Sequence, residues 1–128
     1  MAKRKSIEIK GFTHQNPIPN ATRIGDILVS GVVVGFEPGT RDMPTDLDRQ
    51  LENMFAHVKA IVEAAGGTTD DIIKLTVWLK NPGDRELLNK HWTRMFPDPH
   101  ARPSRHTLPM AGGGAGTLVQ CDVMAVFG

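Results

Sequence analysis

Leu47, Leu51, Met54, Phe55, Val58, Ile61, Val62 and Ala65 recur at helical spacing and draw one broad apolar stripe. Thr45, after Pro44, is placed to cap this helix, with Asp46 and Asp48 in the first turn where the helix dipole favours anions. Gly66-Gly67 supplies the stop. In "IIKLTVWLK" the period changes: Ile73, Leu75, Val77 and Leu79 alternate with Lys74, Thr76, Trp78 and Lys80. A period of two predicts a strand with one face inward. Asn81-Pro82-Gly83 is a turn, and Asp84 is placed to cap a second helix. That helix carries Leu87, Leu88, Trp92 and Met95 on its inner side and ends before Pro97.

Shorter runs lie at either end of the chain. Ser6 to Ile9 reads as a strand, and "HQNPIPNAT" as a polar loop. "RIGDILVSGVVVGF" holds two apolar runs split by the turn signal Gly25-Asp26. Gly31 within the second run suggests a bulge or a close backbone approach. His100 to Pro109 and the final "TLVQCDVMAVF" make two more strands, with the glycine-rich "AGGGAG" read as a hairpin turn between them. The expected order is β-β-β-α-β-α-β-β, an α+β domain with two helices on one face of a sheet. On the last strand Val119, Cys121, Val123, Ala125 and Phe127 form an apolar face. Leu118, Gln120, Asp122, Met124 and Val126 form a half-polar one, which marks an interface or binding site. Burial of the helix-free face by other subunits is the expectation.

Length and charge narrow the functional classes. The 128 residues suit a single domain, 1–128, able to bury its own core. Fifteen basic and 14 acidic residues leave a net charge of +1, which argues against nucleic-acid binding through a broad basic face. Lys3-Arg4-Lys5 precedes no apolar segment and reads as a solvated N-terminus rather than a secretory signal. No apolar run nears the roughly 20 residues that span a bilayer. Cys121 is the only cysteine, so an internal disulfide is ruled out and a reducing cytoplasm is the natural setting. "AGGGAG" lacks the following Lys-Ser/Thr and helix of a phosphate loop. His14, His57, His91, His100 and His106 show no metal-ligand spacing, so no metal is expected.

The most unusual residue is Arg105, a cation inside a strand-like run. It is either on an edge facing water or held to grip a ligand. A planar guanidinium pairs bidentately with a carboxylate and keeps its charge when desolvated. Taken with "VSG" at Val29 to Gly31, "VKAIVEAAGGTTDDIIKLTVWLK", "LNKHW…MFP" and "RPSR", the chain closely resembles the RidA family, also called YjgF or L-PSP endoribonuclease. The resemblance runs over nearly the whole chain. It implies a chorismate-mutase-like fold, a homotrimer with clefts between subunits, and hydrolysis of enamine and imine acids such as 2-aminoacrylate to a keto acid and ammonia. It implies no cofactor.

Residue by residue, the resemblance puts the carboxylate-gripping arginine at Arg105, a small pair at Ser30 and Gly31, and the helix asparagine at Asn89. Thr107 stands where a cysteine is frequent, and its backbone carbonyl can hold a water whatever the side chain. Gln120 stands where the deaminase members carry the glutamate that holds the attacking water. The frequent early-loop tyrosine is missing too, since the chain has no tyrosine; His14 to Asn16 occupy that region.

An amide orients water but neither accepts nor delivers a proton at neutral pH. Asp122, about 6.6 Å along the same strand face, and His14 in the early loop are the candidate substitutes. His106 adjoins Arg105 but points to the opposite face. Two readings therefore stand: an imine deaminase, or a carboxylate-binding relative that lacks the catalytic acid. A third, a ribonuclease, is disfavoured by the balanced charge, the lack of an aromatic stacking row and the lack of a histidine pair.

Overall fold

In the computed structural model residues 3–128 are described. The long amphipathic helix, α1, spans Leu47–Ala64. Asp46 caps it rather than Thr45: the Asp46 carboxylate accepts the Arg49 N–H at 3.3 Å. Leu51, Met54, Phe55, Val58, Ile61 and Val62 are buried as the stripe requires. The end also matches expectation, with Gly66 at φ +96 and Gly67 N–H bonded to Val62 O at 3.0 Å. Gly67 has a further reason to be glycine, because a Cβ there would lie 2.1 Å from the Phe127 ring. Arg23 closes this corner by donating to the Ala65 carbonyl at the helix end and covering the Phe127 ring at 4.4 Å, a favourable place for a cation.

Among the described residues four strands precede α1, where three are predicted: β1 (Lys5–Ile7), β2 (Ala21–Ile24), β3 (Ile27–Ser30) and β4 (Val33–Val34). After α1 come β5 (Ile72–Leu79), α2 (Arg85–Met95), β6 (Ser104–Pro109) and β7 (Val119–Val126). The extra strand arises from a bulge at Gly31. Val29 pairs with Met124 and Val33 with Cys121, so Ser30, Gly31 and Val32 lie opposite only Asp122 and Val123. The Ser30 hydroxyl accepts the Val123 N–H at 2.8 Å, and Gly31 N–H reaches Asn20 O at 2.9 Å. The ladder's break is thereby repaired by a side chain. The close backbone approach falls at Gly35 instead, where a Cβ would meet the Gln50 carbonyl oxygen at 2.2 Å.

The sheet runs β1-β2-β3-β7-β5-β6, with β4 also on β7. All pairs are antiparallel except β5 with β6. This corrects the hairpin expected at "AGGGAG": β5 lies between β6 and β7, and the glycine-rich segment is a connection that steps over a strand. A second correction concerns Ile73. A register irregularity between Ile72 and Lys74 buries Ile72 and leaves Ile73 46% exposed. Asp84 occupies the cap position of α2, but its side chain makes no capping bond. Leu88 and Trp92 of α2 are buried, with Leu87 and Met95 packed against the core.

Both helices pack on one face, against Val119, Cys121, Val123, Ala125 and Phe127. Cys121 is fully buried, and that burial pushes its thiol pKa far above the ordinary value. The opposite face bears Gln120, Asp122 and Met124 half-buried. Beside them are the exposed apolar side chains Ile27, Val29, Leu108 and Val126.

Candidate active site

Arg105 resolves the question its position raises, since β6 is the sheet's edge strand and the arginine is nonetheless held. Its strand position pairs with Leu75, which pairs with Val123; Arg105 therefore lies on the helix-covered side. The guanidinium sits 4.8 Å from the Trp92 ring centroid, and Nη2 donates to Asn89 Oδ1 at 2.8 Å. Nη1 is shut from solvent without a hydrogen-bond partner among the described residues. No acidic side chain within salt-bridge reach balances the charge among the described residues. Burial, then the charge of Arg85, pulls the pKa below the ordinary arginine value; the group remains a cation at neutral pH. A fixed, partly desolvated cation with a spare buried donor is what a carboxylate needs. Thr107, two residues on and half-buried, shares this face. His106 is exposed, as alternation along the strand predicts.

Gln120 lies across the sheet from Arg105. It pairs with Trp78, whose other neighbour is Leu108, which puts it on the helix-free side. There it lines a cavity of about 370 Å³ with His14, Phe12, Val34, Phe36 and Arg41. His14 is set edge-on to Phe12, with ring centroids 5.1 Å apart. Burial, then the positive charge of Arg41, holds its imidazole below the ordinary pKa of 6.5. Asp122 does not join this cavity. It lines a separate groove of about 220 Å³ with Ser30, Lys74 and Thr76. Ser30 also has prior commitments: besides accepting from Val123, it donates to Gly31 O at 2.8 Å.

Within one chain, then, the expected site residues fall into three groups. Arg105, Asn89 and Thr107 lie on the helix side of the edge strand. Gln120 and His14 share the larger cavity. Ser30 and Asp122 share the smaller groove, with Gly31 in the adjoining bulge.

Polar residues that the apolar pattern passes over shape the second group. Gln50 is fully buried. Its amide donates to Pro44 O at 2.6 Å and Gly116 O at 2.9 Å and accepts from Leu118 N–H at 3.0 Å. It thus pins the glycine-rich connection to α1. That connection passes close to Gln120: a Cβ at Gly113, whose φ is +102, would lie 3.9 Å from Gln120 Oε1. Asn53 donates to Gly35 O at 3.1 Å, and His57 Nε2–H to Phe36 O at 2.8 Å. Burial holds His57 below its ordinary pKa and so favours this neutral donor. Gln50, Asn53 and His57 follow the same three- and four-residue spacing as the stripe, and that spacing was the available signal. Asn20 does the same for the early loop, accepting from Ile9 N–H at 2.9 Å and donating to Phe12 O at 2.8 Å.

Among the described residues no cluster of three or more metal-capable side chains occurs, and no helix is long and apolar enough to cross a membrane. A family profile described as Endoribonuclease L-PSP matches residues 12–127. A 2-iminobutanoate/2-iminopropanoate deaminase of Escherichia coli K12 is 28% identical over 111 residues, 86% of this chain and 87% of the relative. The crystal structure of RidA from the Antarctic bacterium Psychrobacter sp. PAMC 21119 superposes with a TM-score of 0.89 at 26% identity, covering 96% of this chain and 99% of that one. E. coli TdcF with bound serine gives a TM-score of 0.89 at 26% identity, over 97% and 99% of the two chains. The chain belongs to the RidA family, the YjgF or endoribonuclease L-PSP group of proteins.

Proposed function

We propose that this protein hydrolyses small enamine and imine acids to a keto acid and ammonia, with Arg105 holding the substrate carboxylate. The observation that carries this reading is the Arg105 guanidinium, fixed by Asn89 and Trp92 yet left with a buried, unpartnered Nη1 and no balancing acid among the described residues. The names of the relatives support it: one is a 2-iminobutanoate/2-iminopropanoate deaminase, and another holds serine, itself a small carboxylate. In the reaction an enamine first becomes the imine by moving a proton from its nitrogen to its β carbon, and a water then adds across the C=N bond. The C–N bond of the resulting carbinolamine then breaks, nitrogen leaves as ammonia and the carbonyl forms. One water is consumed and no oxidant or reductant is needed.

Arg105 and Gln120 are on opposite sides of one sheet, so a substrate touching both lies between two copies. In our reading three copies turn their helix-free faces, with Ile27, Val29, Leu108 and Val126, toward one another. Each cleft then takes Arg105, Asn89 and Thr107 from one copy and the Gln120 cavity from the next. Ser30 and Gly31 act through the bulge they form, which sets the cleft's backbone. Gln120 orients the water through its amide. His14 carries the proton, because it shares the Gln120 cavity while Asp122 faces another groove.

A second reading, carboxylate binding without turnover, is favoured by the amide at position 120. Ammonia release from imines generated in situ by an amino-acid oxidase separates the two. Acceleration by the protein, together with a solution mass near three times the 14.0 kDa chain, is the expected result. A monomer with no acceleration would overturn the proposal.

The role of His14 has its own signature. The neutral imidazole is the base, so the rate falls as pH drops through its lowered pKa. The acid limb of the pH–rate profile is expected below pH 6.5 and absent in His14→Ala; an identical profile in the variant removes His14 from the chemistry.

A further inference from the structure

The Gln120 cavity holds a charge that imine hydrolysis does not use. Arg41, on the connection between β4 and α1, lines it. Its Nη1 donates to Thr13 O at 2.7 Å, and its guanidinium lies 4.9 Å from the Phe36 ring centroid. Two contacts therefore fix the group's position. No carboxylate neutralises it among the described residues; the nearby Glu37 is taken by Arg49 at 2.8 Å. None of the described residues lining the cavity is acidic, and Phe12, Ile18, Val34 and Phe36 give it apolar walls. His14, the other titratable group there, is held toward its neutral form by burial and by Arg41, so Arg41 is the cavity's formal charge at neutral pH. An apolar recess with one fixed cation suits an anionic group on an apolar stem. Arg41 is exposed at the rim of this recess, and a purely alkyl side chain would leave it paired with nothing but water.

We propose that the cavity binds a second anionic group of the substrate. The substrate class is then the imine of an acidic amino acid, with its α-carboxylate on Arg105 and its distal carboxylate on Arg41. This rests on the Arg105 reading above. It goes beyond it by making Arg41 the residue that sets specificity, in the same cleft between copies.

Calorimetric titration with two keto acids tests the assignment: 2-oxobutanoate, with one carboxylate, and 2-oxoglutarate, with two. A charge-assisted contact is worth roughly tenfold or more in affinity, so the parent is expected to bind 2-oxoglutarate at least about tenfold more tightly. Arg41→Gln brings the ratio to about one, while Arg41→Lys, which keeps the charge, retains part of it. Arg105→Gln weakens both ligands together. Equal affinities in the parent, or a preference that survives Arg41→Gln, would overturn the role of Arg41. Binding of 2-oxobutanoate that is indifferent to Arg105→Gln would overturn the Arg105 reading instead.

Discussion

Replacing Arg105 with alanine is expected to lower kcat/KM for imine hydrolysis by roughly 30- to 5,000-fold while thermal stability changes little. The magnitude follows from truncating one partner of a partly buried charged pair, which costs about 2–5 kcal/mol. The two effects separate because of how the arginine is held. Its Nη1 has no partner among the described residues, so the folded chain loses no hydrogen bond there. Asn89 Oδ1, its one side-chain acceptor among the described residues, lies on an exposed residue where water replaces the lost donor. Arg105→Lys is expected to recover only part of the rate, because the ammonium keeps the charge but loses the planar fork and the stacking on Trp92. Ammonia release from in situ imines, read beside a thermal melt, checks all three statements. An alanine variant with the parent's rate would place the carboxylate elsewhere.

Gln120→Glu is expected to raise turnover, by up to the roughly 100- to 10,000-fold that acid–base assistance supplies. Glutamate is close to isosteric with glutamine, so the cavity with His14 and Arg41 accepts it without repacking. What changes is that the oxygen beside the substrate can now take a proton from the attacking water and return one to the leaving nitrogen. If the parent is silent and the variant active, the fold serves as a carboxylate binder whose proton carrier has been lost. If both are active, the ratio measures how much His14 supplies in the parent. A variant slower than the parent would mean that the amide N–H is itself the working atom at this position. The same variant sets a carboxylate beside Arg41 and is expected to reduce any preference for a second anionic group.

How much of this was legible in the residues depends on the range of the forces involved. α1 and the inward face of β7 were readable because the period of apolar residues reports burial directly. The cap was misplaced by one residue because Thr45 and Asp46 are both good capping residues and lie side by side. Ile73 was misassigned because an irregularity shifts the register by one, and Ile72 and Ile73 are equally suited to the inside. Sheet order was out of reach: β6 joins β5 in parallel, and nothing in "AGGGAG" reports that the chain steps over a strand. Arg105 stood out as a charge in a strand, and the family resemblance supplied Asn89 as its companion. Arg41 and the Gln50 clasp went unseen because a loop arginine or a helix glutamine looks solvated until the fold gathers its partners.

The parallel edge position of β6 has a kinetic meaning as well. Among the described residues β6 is paired on one side only, and its partner β5 lies on the far side of the α2 crossover in the chain. That ladder closes only after α2 has formed and docked, so the strand carrying Arg105 is expected to join the sheet late and to open early. Its outward-facing amides are free to exchange with solvent deuterium in a lone chain. If a second copy seals that margin, slowed exchange at the amides of residues 104–108 reports completion of the cleft before any substrate is added.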